Sequence, residues 1–205
     1  MQTRKFSFVL ALFFALGFTA ATFAQTGYKV GSNVDNFTLK NVDGQMIDFN
    51  AYLKDHKGAI VIFTCNHCPF AKAYESRIIE LDKELRPLGY PVIAINPNTK
   101  TVDDDSFEAM QKVAEVKGYP FPYLADDDQK VAEAFGAQKT PHVYIVQKSG
   151  KGSQVAFIGT LDNSPRDAAK ADKHYVKDAV NSLLKGKVVN PKEVPAVGCT
   201  IKWAK

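Results

Sequence analysis

Short apolar runs alternate with turn residues and with segments of helical period along most of the chain. Asn36–Leu39 and Met46–Phe49 flank Asn41-Val42-Asp43-Gly44, and Asp-Gly between two such runs predicts a small antiparallel hairpin. Ala59–Phe63 is a continuous β-branched and aromatic run without polar alternation, the pattern of a strand covered on both faces. From Pro69 the period changes. Phe70, Tyr74, Ile78, Leu81 and Leu85 fall on one face of a helix that Pro69 is suited to open. Val92, Ala94 and Ile95, between Pro91 and Asn96-Pro97-Asn98, form a second buried strand, so strand, helix and strand predict a right-handed crossover and a parallel pair.

Ser106 caps a second predicted helix, with Phe107, Met110, Val113 and Ala114 inward and a close near Gly118. Tyr119-Pro120-Phe121-Pro122 interrupts the chain before a short strand at Tyr123–Ala125 and a short helix ending at Phe135-Gly136. Val143–Val146 and Gln154–Ile158 flank Ser149-Gly150-Lys151-Gly152 as a second hairpin, and Val176, Val180, Leu183 and Leu184 mark a last amphipathic helix. The expected class is α/β: a central mixed β-sheet with helices on both faces and an N-terminal hairpin extension. No repeat or linker divides the chain, and 45% hydrophobic with 23% charged residues is the composition of a folding domain.

Residues 1–24 differ from the rest. Arg4 and Lys5 precede an apolar stretch from Phe6 to about Phe18, and small residues lead to Ala24, the layout of a cleaved secretory signal. The stretch falls short of the roughly 20 residues that span a bilayer, so no stable span is expected after cleavage. The expected domain is then 25–205, with a C-terminal tail at 187–205. Loss of Arg4 and Lys5 takes the formal charge from +4 to +2, which implies neither a nucleic-acid partner nor an anionic membrane.

There are three cysteines, Cys65, Cys68 and Cys199. The pair in Thr64-Cys65-Asn66-His67-Cys68-Pro69 sits where the buried strand ends and the helix begins, where free backbone amides and the helix dipole favour a thiolate. Cys65 is expected to be the exposed nucleophile, with a depressed pKa, and Cys68 the resolving thiol. A structural disulfide at this spacing closes too small a loop to stabilise much. A zinc site would need ligands from His67, His56, His142, His174 or Cys199, with no second CxxC to supply them. No metal or organic cofactor is therefore expected. Between the cysteines, His67 is positioned to tune the thiolate, and Asn66 shares its loop. The acidic triplets Asp103–Asp105 and Asp126–Asp128 lack the calcium-loop spacing and are expected to be solvated.

At this point the chain resembles the thioredoxin-fold superfamily, in particular the redoxin branch of alkyl hydroperoxide reductase/thiol-specific antioxidant proteins and exported thioredoxin-like reductases. The resemblance runs from Val30-Gly31, Asn36–Leu39 and Asp43-Gly44 through the CxxC to Phe121–Asp126, Phe135–Ala137 and Thr140-Pro141. It is strongest for a peroxiredoxin-like subgroup with a Cys-Asn-His-Cys-Pro site and a Gly-Cys-x-Ile-Lys-Trp tail, here Gly198–Trp203. The likeness implies a cis Thr140–Pro141 bond facing the CxxC, with backbone left free to pair with an extended substrate. Two departures stand out. The peroxiredoxin motif Pro-x-x-x-Thr/Ser-x-x-Cys has no proline here in Ala59–Thr64, and the buried aspartate that thioredoxin places six residues before its first cysteine is Ala59, which leaves Cys68 without an identified proton acceptor.

The sequence thus predicts an exported thiol-disulfide oxidoreductase, periplasmic rather than secreted. It would act on a protein or small-molecule disulfide or thiol and be reset by a redox partner protein. Two alternatives stand beside it: a thiol-dependent peroxidase in which Cys65 becomes a sulfenic acid, and a non-catalytic peptide-binding or chaperone module. Cys199 carries two readings, a third redox thiol on the tail or an idle cysteine with Trp203 anchoring the tail by packing.

Overall fold

A computed structural model describes residues 27–150 and 152–204, so the segment expected to be a leader lies outside the described residues. In chain order the elements are β1 (Thr38–Asn41), β2 (Met46–Asp48), α1 (Phe49–Leu53), β3 (Gly58–Phe63), α2 (Pro69–Leu85), β4 (Val92–Asn96), α3 (Phe107–Lys117) and β5 (Tyr123–Ala125). They continue with α4 (Lys130–Phe135), β6 (Lys139–Thr140), β7 (His142–Ser149), β8 (Gly152–Gly159), α5 (Tyr175–Leu184) and β9 (Cys199–Thr200).

Seven strands form one mixed sheet in the order β2-β1-β5-β4-β3-β7-β8, and β6 pairs separately with β9. The expected parallel pair is present, with Ile60 opposite Val92 and Phe63 opposite Ile95. Its unbroken apolar run follows from burial on both faces. Ile60 and Ile62 join Tyr74, Ile78 and Leu81 of α2, Met110 of α3 and Val176 and Val180 of α5 on one side. Ala59, Val61 and Phe63 join Phe49 and Leu53 of α1 and Val131 and Phe135 of α4 on the other.

One boundary departs from the sequence prediction. The first hairpin ends at Asp48, whose carboxylate accepts the Ala51 N–H at 2.8 Å and starts α1, so Phe49 opens a helix instead of closing a strand. Phe49 and Leu53, four apart and both buried, are the helical signal that the alternation concealed.

Three loops that follow parallel strands meet at one edge of the sheet: 64–68 after β3, 97–106 after β4 and 126–129 after β5. This is the edge where open α/β sheets bind ligands. The antiparallel register of β3 with β7, Phe63 opposite His142, brings Thr140 and Pro141 alongside Thr64 and Cys65.

Candidate active site

The CxxC lies between a fully buried strand and a 17-residue helix that Pro69 opens, as the sequence predicts. Cys68 is the N-cap of α2 and Pro69 its first residue, so the sulfur at the helix N-terminus is that of Cys68. Cys65 lies three residues outside, buried to 4% exposure. Its thiol donates to Thr140 Oγ1 at 3.1 Å. The Thr140–Pro141 bond is cis, as the resemblance implied.

The bonded pair is Cys68 and Cys199, 131 residues apart with Cα atoms at 6.0 Å, while Cys65 remains a thiol. The expected Cys65–Cys68 couple is therefore not the disulfide of this state, and the third cysteine is part of the site. The expectation of an exposed, acidified Cys65 is also corrected. Burial first, and the Asp105 carboxylate second, push its pKa up to about 11, against the opposing pull of the Thr140 hydroxyl and the Cys68 and His67 backbone N–H groups.

Asp105 is a site residue that the sequence reading placed in solvent. It is fully buried. Its Oδ1 accepts the N–H of Asn66 at 2.6 Å and of His67 at 3.2 Å, and its Oδ2 meets His67 Nδ1 at 2.5 Å. The His67 ring is thus held by Asp105, and what His67 offers the Cys65 sulfur is its backbone N–H. Asn66 completes the loop: its Nδ2 donates to the Asp104 carbonyl at 2.9 Å and its Oδ1 accepts from Tyr123 Oη at 2.8 Å. Among the described residues, Cys65, His67 and Asp105 have donor atoms within 4.8 Å of one another, a set of types that also ligate metals. Here the Asp105 oxygens are engaged by the two backbone donors and the imidazole. The second triplet also holds one buried member, since Asp126 accepts the Val131 and Ala132 N–H groups at the start of α4. Burial, ahead of its other influences, pushes the Asp126 pKa up to about 6.

Cys199 reaches Cys68 because the tail forms a strand on the Lys139–Thr140 edge, with Thr200 opposite Lys139 and Cys199 opposite Thr140. The tail is anchored by Ile201, at 2% exposure, and not by Trp203, which is 44% exposed. A cavity of about 750 Å³ is lined by residues that include Tyr28, Phe135, Lys139, His142 and Val194 and by none of the cysteines.

A thioredoxin-like sheet, a CxxC at the start of its first long helix and a cis-proline edge beside it define a thioredoxin-fold redoxin. Residues 30–153 match the AhpC/TSA family, and the chain belongs to that family. It is similar to the thiol-disulfide oxidoreductase ResA of Bacillus subtilis (strain 168), at 26% identity over 159 residues that cover 76% of this chain and 84% of ResA. An uncharacterized conserved protein from Geobacillus kaustophilus superimposes with a TM-score of 0.79 at 36% identity, covering 86% of this chain and 93% of its own. Peroxidoxin BcpB from Mycobacterium tuberculosis shares the fold, with a TM-score of 0.58 at 18% identity over 78% of this chain and 97% of BcpB.

Proposed function

We propose that this redoxin is an exported thiol-disulfide oxidoreductase that works through Cys65, Cys68 and Cys199. The observation that carries this reading is a free thiol, Cys65, packed in one buried cluster with the Cys68–Cys199 disulfide. The name of the Bacillus subtilis relative agrees with it. Exchange within the cluster needs no outside oxidant. The Cys65 thiolate attacks the Cys68 sulfur, a Cys65–Cys68 bond forms, the Cys68–Cys199 bond breaks, and the electron pair leaves on Cys199, which takes up a proton.

The roles follow from position. A Cys65 thiol held near pKa 11 is almost wholly protonated at neutral pH, so its attack requires a proton to leave, and the buried Asp105 carboxylate lies within 4.8 Å of its sulfur. Asn66 and His67 hold the loop through Asp105, and Thr140 hydrogen-bonds the Cys65 thiol beside the cis Pro141. The charged, apolar and small segments of residues 1–24 support export, with the periplasm as the compartment. Among the described residues no helix is long and apolar enough to cross a membrane. A redox partner protein resets the disulfide after each turnover.

The test is reduction of insulin disulfides by dithiothreitol, followed by turbidity, with the full chain and with Cys65→Ser and Cys68→Ser. Each serine variant is expected to lose at least a hundredfold of the acceleration. Retention of activity by the double variant would overturn the reading, and rapid consumption of hydrogen peroxide in place of insulin reduction would assign a peroxidase instead.

A further inference from the structure

Asp105 works against the thiol it faces. A fully buried carboxylate lies within 4.8 Å of the Cys65 sulfur, which must carry negative charge to attack, and two like charges that close in a buried site repel strongly. Among the described residues Asp105 pairs with no lysine or arginine, and its one basic partner is His67. A divalent cation between the three side chains reverses the sign of the problem. With thiolate, carboxylate and neutral imidazole as ligands the site would carry no net charge, the condition that burial favours.

The geometry fits such an ion. Cys65 Sγ, a ring nitrogen of His67 and a carboxylate oxygen of Asp105 all lie within 4.8 Å of one another, and His67 Nδ1 stands 2.5 Å from Asp105 Oδ2. Zinc bonds of about 2.0–2.3 Å at tetrahedral angles set neighbouring ligand atoms about 3.3–3.6 Å apart, which falls between these two limits. The partly exposed His67 ring has room to turn and open its short contact, while Asp105 Oδ1 stays fixed by the N–H groups of Asn66 and His67. In the sheet order β4 and β7 flank β3, so Asp105, from the loop after β4, and cis Pro141, before β7, reach Cys65 from opposite flanks. One sulfur, one nitrogen and one oxygen suit zinc, whereas calcium and magnesium take oxygen ligands.

We propose that Cys65, His67 and Asp105 form a zinc site of three protein ligands with an open fourth position, and that the bound ion withholds Cys65 from exchange while Cys68 and Cys199 are joined. The site supplies from the β4 loop the ligand that the spacing of histidines and cysteines along the chain does not. On binding, Zn²⁺ takes the place of the Cys65 thiol proton, which passes to solvent, and no electron moves. A Cys65–Cys68 bond removes the sulfur ligand, so that disulfide and the ion exclude each other. Only this consequence, and not the site itself, rests on the thiol-disulfide reading above.

The test uses the full chain purified without reductant, with Cys65 as the one free thiol among the described residues. Titrated against a chromophoric chelator, the protein is expected to take up one Zn²⁺ per chain. Asp105→Asn, which keeps an oxygen for the backbone donors, and His67→Gln should each weaken binding at least tenfold, and Cys65→Ser at least a hundredfold. Co²⁺ in place of zinc should give a thiolate-to-cobalt charge-transfer band, and Zn²⁺ should slow alkylation of Cys65 by iodoacetamide at least tenfold until a chelator restores the rate.

No transfer of zinc from the chelator, a cobalt complex without the charge-transfer band, or an affinity unchanged by Asp105→Asn would each overturn the site. Undiminished alkylation of the zinc-loaded protein would overturn the withholding of Cys65. The cobalt and alkylation measurements use the unsubstituted chain, so a variant that fails to fold does not decide the outcome. None of them involves turnover. Their failure leaves thiol exchange to the zinc-free insulin assay, and failure of that assay leaves the site standing and removes only its consequence.

Discussion

The cysteine loop and the C-terminal tail meet at one disulfide, but they are held by different kinds of contact. The loop at 64–68 is continuous with β3 and α2, whose inward side chains are buried in the core, and a buried carboxylate takes two of its backbone N–H groups. The end of the tail, 198–204, has a two-residue strand, one buried apolar side chain, a few hydrogen bonds to Asn98, Gln129 and Gln138, and the bond to Cys68. Local stability follows the density of buried contacts, so the loop belongs to the most stable part of the molecule and the tail to a part that can open alone. The disulfide masks this difference, and exchange at Cys68 exposes it.

The largest effect should come from removing the bond. A cross-link spanning 131 residues restricts the unfolded chain strongly, so Cys199→Ser is expected to lose about 3–5 kcal/mol of stability in urea unfolding under non-reducing conditions. Addition of reductant should bring the unsubstituted protein down by a similar amount. Identical midpoints for the oxidised and reduced forms would break the comparison at its base.

Asp105→Ala acts on the loop alone. It leaves the Asn66 and His67 N–H groups and the His67 ring without their acceptor, at a cost of about 3 kcal/mol. Amide exchange should rise at Asn66 and His67 while the Ile201 N–H, paired with Gln138, keeps its protection. Equal acceleration at both places would mean that loop and tail open together.

The smallest effect is in pH. The folded protein keeps the Cys65 proton up to about pH 11, while the unfolded thiol ionises near 9. Folding therefore retains a proton between those values, and Cys65 should cost stability as pH rises from about 9 to about 11, by at most about 2–3 kcal/mol in all. Native alkylation of Cys65 by iodoacetamide should rise about tenfold per pH unit from 8 to 10. A plateau near pH 8.5 would place the thiol in solvent.

Much of this architecture was legible because it rests on neighbours in sequence. Ser106 starts α3 by accepting the Ala109 N–H, and Gly136 closes α4 at φ 69°, as capping rules predict from those residues alone. The Thr140–Pro141 edge was legible through family likeness and not through composition. Asp105 was missed because three consecutive acidic residues look solvated. Only the packing of the β4 loop against the β3 loop turns one of them inward, where backbone donors 38 and 39 residues away compensate its burial. Cys199 was left between two roles because its partner depends on which sheet edge the tail meets. Trp203 was the wrong anchor for the same reason, since the core opening at that edge admits Ile201.

The sequence by itself determined the sheet with its crossover helix, the CxxC at the junction of β3 and α2, and the redox class of chemistry, because periodicity, caps and close spacing are local properties. Tertiary structure alone decided which sulfurs are bonded, which carboxylate faces the thiol, and how strongly that thiol holds its proton. Those quantities depend on burial and on groups brought together across dozens of residues, and no spacing along the chain encodes them.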